Sequence, residues 1–325
     1  MDWHGKLHLI DQLTGGVLWS TDRAQDRNGL YPPNSELGCW GTSPWPGIAH
    51  PWAPVPPRAW GLPMAVQTLK ALSAEQVRFF HDQGYLALPT LLTEAEVAAL
   101  RGIVDVLEEW VQAHPHPDFQ REPASQNSSR YVIRKVSNIH RHGGAPWEAV
   151  WTDPRILDIF EDLLGPELRF HHSKLMMKPP FEGSAKVWHQ DLPEGFVSHE
   201  EQARLRPLGT AFKPEHAPIV AIQLYLDDST KDNGCIQVVP GSHRRGLFED
   251  PLDQALVNPA EVRLAELRAG GALLFHCLTY HYSAPNTSPR WRRAPVFEYM
   301  APCTHITATT SPRDVDFGKV MRTRG

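Results

Sequence analysis

"GGALLFHCLTYHYSAPNTSPRWRRAPVFEYMAP", residues 270–302, contains two apolar and aromatic runs separated by a stretch of proline, asparagine, serine and threonine. Short length, β-type composition and flanking turn residues mark these runs as strands rather than helices. "LRFHHSKLMMKPP", "PIVAIQLYLDD" and "GCIQVVPGSH" read the same way, with Asn233-Gly234 a strong turn signal and Pro240-Gly241 ending the strand that follows. No helix-length segment alternates with these runs. The second half of the chain is therefore expected to form an antiparallel sandwich or barrel, not a parallel βαβ sheet.

Helices are expected ahead of it. Ser73 with Gln76 forms a capping-box pattern that Gly84 would close. Thr93 with Glu96 opens a second helix, whose Val97, Leu100, Val104, Leu107 and Val111 recur at helical spacing. Asp153-Pro154 opens a third, ending near Gly165. The fold class expected is mainly β with buttressing helices. Residues 1–70 are rich in Trp, Pro and Gly and predict an irregular arm packed on the core; residues 303–325 predict a polar, solvated tail.

The chain has 325 residues, ample for a large core, with 32 Lys and Arg against 37 Asp and Glu for a net charge of −5. No basic field exists to draw nucleic acid or anionic lipid. No apolar run approaches the roughly 18 residues a membrane span needs. The 4 cysteines, Cys39, Cys235, Cys277 and Cys303, are scattered without a framework, so a cytoplasmic, reducing location is expected.

"KVWHQDLPEG", residues 186–195, places His189 and Asp191 two apart. On a strand the two would face one way and Gln190 the other, making a two-point chelate. A pair of ligands binds weakly, and the triplet alone decides nothing. Two histidines with one carboxylate leave positions open on an octahedral ion, the arrangement of iron(II) oxygenases. Of 17 histidines, His281 is the third ligand selected, at the end of an apolar run beside a turn-rich segment. His276 is its competitor on what reads as one strand, where strict alternation turns it away. Arg292 offers a bidentate partner for a carboxylate, and Ser283 a hydroxyl near the same pocket. His171 and His172, being adjacent, are expected at the pocket edge or surface, and His243 as a histidine hydrogen-bonded at a turn. Packing is the default for Trp188 and Trp291. The long segment after Asp191 reads equally as a lid or as a solvated excursion.

The blocks "KLMMKPP", "WHQDL", "DNGCIQVVPGSH" and "HYSAPNTSPRWRRA", in that order, after the opening "LSAEQVRFFHDQGYLALPTLLTEAEVAAL", resemble the phytanoyl-CoA dioxygenase family of iron(II)/2-oxoglutarate-dependent oxygenases. The resemblance spans roughly residues 72–300. It implies a double-stranded β-helix core (jelly-roll, cupin-like) over residues 71–302 and dependence on Fe(II), 2-oxoglutarate and O2, with ascorbate as a supporting reductant. It implies His189, Asp191 and His281 as the iron triad, Arg292 and Ser283 at the distal carboxylate of 2-oxoglutarate, and Lys135 and Gln223 as further cosubstrate contacts. Lys174 stands where those enzymes carry an apolar residue and receives no role. The activity implied is hydroxylation of an unactivated C–H bond coupled to release of succinate and CO2. Because Asp191 is present, halogenation is disfavoured. A small-molecule metabolite is the expected substrate, with no nucleic-acid or membrane partner, and Leu192, Phe196 and Trp291 are candidates to contact it. The alternatives are a fatty acyl-CoA 2-hydroxylase, a cupin-type enzyme using metal without 2-oxoglutarate, and a non-catalytic jelly-roll ligand-binding protein.

Overall fold

The computed structural model of the chain describes residues 8–10, 17–20, 69–125, 129–191, 214, 218–247, 255, 257–302 and 316–323. Strands β1 (His8–Ile10) and β2 (Val17–Ser20) pair as an antiparallel ribbon. The rest of the expected arm up to residue 68, and the segment after Asp191 with Leu192 and Phe196, lie outside the described residues.

Helix α1 (Ala74–Gln83) carries the capping box its sequence announces. Ser73 Oγ accepts from Gln76 N at 3.1 Å, and Gln76 Oε1 accepts from Ser73 N at 2.8 Å. Gly84 ends it at φ +77°, where an added Cβ would lie 2.4 Å from His243 Nδ1. Strand β3 (Tyr85–Leu88) follows, then α2 (Glu94–Ala113), boxed by Thr93 and Glu96. After β4 (Phe119–Arg121) and β5 (Ile133–Ser137) come α3 (Ala145–Trp151) and α4 (Pro154–Leu164), the latter capped by Asp153.

The remaining strands are β6 (Leu168–Lys178), β7 (Lys186–His189), β8 (Ile219–Leu224), β9 (Ile236–Val238), β10 (Arg263–Ala265), β11 (Ala272–His276), β12 (His281–Ser283), β13 (Arg292–Met300) and β14 (Val320–Arg322). They form two antiparallel sheets. The large one runs β3-β11-β8-β13-β6-β5-β4 with β14 also on β6, and the small one runs β10-β9-β12-β7. The expected helix-buttressed β fold is what forms, the two antiparallel sheets making a jelly roll with the helices packed on the large one.

Register decides what each face of the large sheet carries. Arg292 lies opposite Lys178, Ala294 opposite Met176, Val296 opposite Lys174 and Glu298 opposite His172. Opposed residues share a face, so these side chains point together between the two sheets. The alternate residues Leu175, Met177 and Phe297 turn outward and join Leu100, Val104 and Leu107 of α2 in the main core cluster. Each such side chain contributes roughly 1.5–3 kcal/mol on burial. Both faces are thus covered, which is why β13 is buried along its whole length.

Three expectations change. His276 and His281 do not share a strand: β11 ends at His276, and a turn over 277–280 carries the chain from the large sheet to the small one. His171 and His172 are buried rather than superficial. A register shift beside Glu298 leaves His171 as the extra residue, and both rings pack near that carboxylate. Finally, residues 316–323 are tied to the body by specific contacts rather than free, with Lys319, Val320 and Thr323 still exposed. Strand β14 pairs with β6, Arg322 bridges Asp158 and Glu161, and Asp316 accepts from Arg141 Nε at 2.8 Å and lies 3.0 Å from His140 Nε2.

Burial alone would raise the Asp316 carboxyl, but His140 and Arg141 together hold it down at about 2. A depressed folded-state value stabilises above the ordinary carboxylate range and the stabilisation is lost as pH falls toward 2. Asp316→Asn is expected to lower unfolding free energy at pH 7 by about 1 kcal/mol after allowing for solvent screening. The difference from wild type should vanish near pH 2 in urea titrations.

Candidate metal centre and cosubstrate pocket

Between the sheets lies a cavity of about 250 Å³ whose walls include His189, Asp191, His281, Gln223, Ser283 and Arg292. His189 closes β7 and His281 opens β12, directly opposite one another, with ring centroids 4.0 Å apart. Asp191 lies just past the strand, its backbone N–H donating to Cys277 O at 3.0 Å. Gln190 faces away, as alternation predicts, and donates to Gly246 O and Leu278 O, both at 2.8 Å.

Carbonyl oxygens only accept, which assigns the ring hydrogens. His189 Nδ1–H donates to Val187 O at 2.8 Å, and His281 Nδ1–H to Thr279 O at 2.9 Å. Each Nε2 is left with its lone pair facing Asp191 Oδ1, at 3.6 Å from His189 and 3.8 Å from His281. Backbone anchoring of the far ring nitrogen is the usual support for a ligating histidine. Burial pushes His281 down to about 3, so its imidazole is neutral across the physiological range. Burial would raise Asp191, but the Lys174 ammonium foremost holds it well below the ordinary carboxylate range. Asp191 Oδ2 is buried without a hydrogen-bond partner among the described residues. Converging lone pairs with no proton between them fit a hard-to-borderline divalent cation.

Among the described residues two other His/carboxylate groups converge, His116–Asp118–His142 and His171–His172–Glu298. None of these six residues lines the cavity. His243 takes its expected place on a turn, its Nε2 3.1 Å from His81 O.

Away from the triad, Arg292 is buried opposite Lys178. Its Nε has no partner among the described residues, a donor fit for a carboxylate oxygen. Ser283 Oγ donates to Gly234 O at 2.8 Å. Gln223 is buried opposite Val296, while Lys135 lies opposite both Gln120 and Met176. Trp291 packs against the helix-side core with the Arg293 guanidinium 5.9 Å from its ring, and is not among the cavity-lining residues.

Several residues here escaped sequence reasoning. Lys178 Nζ donates to Ala284 O at 2.7 Å, and burial, then Arg292, lowers it to about 7. Lys174 Nζ lies 3.2 Å from Glu298 Oε1 and 4.0 Å from Asp191 Oδ1. The buried Tyr225, raised to about 12 by burial, adjoins the Arg292 charge. Period-two alternation through "SKLMMK" and "RRAPVFE" was the available signal for Lys174, Lys178 and Glu298.

The family model for Phytanoyl-CoA dioxygenase (PhyH) matches residues 80–294. The chain belongs to the phytanoyl-CoA dioxygenase family. This member is similar to an ectoine dioxygenase of Bordetella bronchiseptica, 28% identical over 249 residues covering 70% of this chain and 74% of the relative. It is also similar to an L-proline trans-4-hydroxylase of Streptomyces griseoviridis, 28% identical across 67% of this chain and 82% of that one. The crystal structure of EctD from S. alaskensis with 2-oxoglutarate and 5-hydroxyectoine superposes with a TM-score of 0.61 at 25% identity, covering 79% of this chain and 87% of that one. The chain is accordingly an iron(II)- and 2-oxoglutarate-dependent dioxygenase. Among its described residues, no helix is long and apolar enough to cross a membrane.

Gly234 ties the pocket's cationic end together. At φ +79° an added Cβ would meet Ala284 O at 2.2 Å and Lys178 Cδ at 3.0 Å. Gly234→Ala is expected to cost roughly 1–3 kcal/mol of stability through backbone strain. It should also raise the KM for 2-oxoglutarate, measured beside a denaturant melt of the same preparation.

Proposed function

We propose that the chain hydroxylates an unactivated C–H bond of a small-molecule metabolite, with His189, Asp191 and His281 holding iron(II) and Arg292 holding the distal carboxylate of 2-oxoglutarate. The observation that carries this reading is the convergence of two histidine Nε2 atoms on Asp191 Oδ1, in the same cavity as the buried, unpartnered Arg292 Nε. Bound iron(II) and 2-oxoglutarate supply the oxidising chemistry, activating O2 as the cosubstrate is decarboxylated to succinate and CO2.

The protein's own part is orientation and exclusion of water. Carbonyls of Val187 and Thr279 fix the two rings, and Asp191 supplies the carboxylate. Ser283 and Gly234 brace the wall beside Arg292, while Lys135 and Gln223 are proposed to line the cosubstrate. Met176, Ile236, Phe275 and Val296 form the apolar part of the wall and keep the reacting C–H bond dry. Relatives named for ectoine and L-proline favour a small substrate over a fatty acyl-CoA. The complete triad and arginine argue against a binding-only protein. Leu192 and Phe196 remain proposed substrate contacts. Buried, free Cys235 and Cys277 support a reducing, cytoplasmic setting.

Asp191→Ala is expected to fold, to lose the visible band of the anaerobic iron(II)–2-oxoglutarate chelate, and to cut succinate release at least about 100-fold, since even outer-shell changes at metal sites cost 10–100-fold. Arg292→Lys should keep the band but raise the KM for 2-oxoglutarate about tenfold or more through loss of the bidentate fork. A folded Asp191→Ala enzyme with wild-type succinate release would refute the assignment.

A further inference from the structure

Outside the cavity, His116, Asp118 and His142 bring two ring nitrogens and a carboxylate oxygen to within 4.8 Å of one another. Asp118 Oδ2 lies 2.7 Å from His142 Nε2 and 3.9 Å from His116 Nδ1. Nitrogen and oxygen ligands about 2.0–2.2 Å from a tetrahedral zinc ion stand about 3.3 Å apart. The two separations bracket that value, so side-chain shifts on the order of 1 Å would seat an ion among the three atoms.

The backbone sets these groups up. Proline on either side of His116 stiffens the segment that leads into β4. Phe119 N–H closes a turn on His116 O at 3.0 Å, and Ser137 N–H ties Asp118 O to the end of β5 at 2.8 Å. Asn138 Nδ2 donates to Asp118 Oδ1 at 3.3 Å, which turns Oδ2 toward the imidazoles. Asp118 N–H donates to His116 Nδ1 at 3.2 Å, so that ring carries its hydrogen on Nε2 and keeps a lone pair on the Asp118 side. The short contact between His142 Nε2 and Asp118 Oδ2 holds one proton, which a metal ion displaces on binding. Apolar rings wall the group: the Phe119 centroid is 5.2 Å from that of His142 and 5.9 Å from that of His116, and Trp110 is 6.2 Å from His116. Such a shell limits water around a metal and strengthens its hold.

The other group, His171–His172–Glu298, lacks an entry path. The side chains of His171 and Glu298 are 0% exposed, and the Lys174 ammonium already lies 3.2 Å from Glu298 Oε1, so an entering cation would meet another. Here the side chains of His116, Asp118 and His142 are 32%, 13% and 11% exposed. Solvent therefore reaches one side, where a water can serve as fourth ligand.

We infer that His116, Asp118 and His142 form a second metal site, which takes zinc(II) and clips the segment before β4 to the turn after β5. Two imidazoles with one carboxylate suit zinc better than magnesium or calcium, which prefer all-oxygen sets. Strand β4 stands at the edge of the large sheet, and Gln120 of β4 and Lys135 of β5 line the cavity. The clip thus braces that wall from outside the iron site, and it stands apart from the oxygenase reading.

The test uses the full chain carrying Asp191→Ala and His281→Gln, which leaves one of the three iron ligands, stripped of metal and titrated with zinc(II) chloride by calorimetry. It should bind one zinc per chain, with an unfolding midpoint that rises as zinc is added. Adding Asp118→Asn or His142→Gln should weaken that binding about 100-fold or more, beyond the 10–100-fold typical of changes to outer-shell partners. His116→Gln, at the most exposed ligand, serves if those two changes do not fold. If the starting chain itself does not fold, zinc stoichiometry in the wild type should fall by one on His116→Gln. A folded starting chain that binds no zinc overturns the inference. So does zinc affinity unchanged in the His116, Asp118 and His142 variants, or magnesium(II) chloride binding the same three residues as tightly as zinc.

Discussion

Three successive carbonyl groups, those of Cys277, Leu278 and Thr279, hold the converging side chains in place. Cys277 O takes the backbone N–H of Asp191, Leu278 O takes the amide of Gln190, and Thr279 O takes the ring of His281. All three belong to the turn by which the chain leaves the large sheet at His276 and enters the small one at His281. A jelly roll must turn this corner somewhere. Here the corner's carbonyls, which no strand ladder claims, become the anchors of a metal site.

The same economy appears on the large sheet. Strand β13 is paired on both sides, by β6 and β8, so a one-residue slip would cost both ladders and exchange the two faces. That register places Arg292 and Glu298 inward while Phe297 packs toward the helices. Packing on the helix side thus enforces the position of the charges on the cavity side. Stability and site geometry are one constraint seen from two faces.

How legible this was in the sequence depends on the range of each interaction. The capping boxes at Ser73 and Thr93 and the start at Asp153-Pro154 are local, and all three were readable. His189 and Asp191 were visible as a spacing, and the ordered motif blocks led to His281 and Arg292. The break between His276 and His281 was not readable, because an uninterrupted apolar run carries no mark of where a chain changes sheets. Nor were β4 and β5, short strands that pair with each other and reach the large sheet only through β5 on β6. The pairing of Glu298 with His172 and Lys174 needs the register of β13 on β6 and its shift, a non-local quantity.

His276 shows why the corner matters more than alternation. It is buried and lies five residues before His281, yet its Nδ1 accepts the N–H of Leu278 at 3.1 Å inside the turn, and burial holds its ring well below the ordinary range. It stabilises the corner that His281 needs. Strict alternation on one continuous strand also sends His276 away from the cavity, so the expected outcome was right for a reason the structure replaces. The two mechanisms differ in what they permit. Alternation would let a one-residue insertion between the histidines bring His276 into the cavity, whereas a sheet-crossing turn ties each histidine to its own sheet and keeps the ligand set fixed.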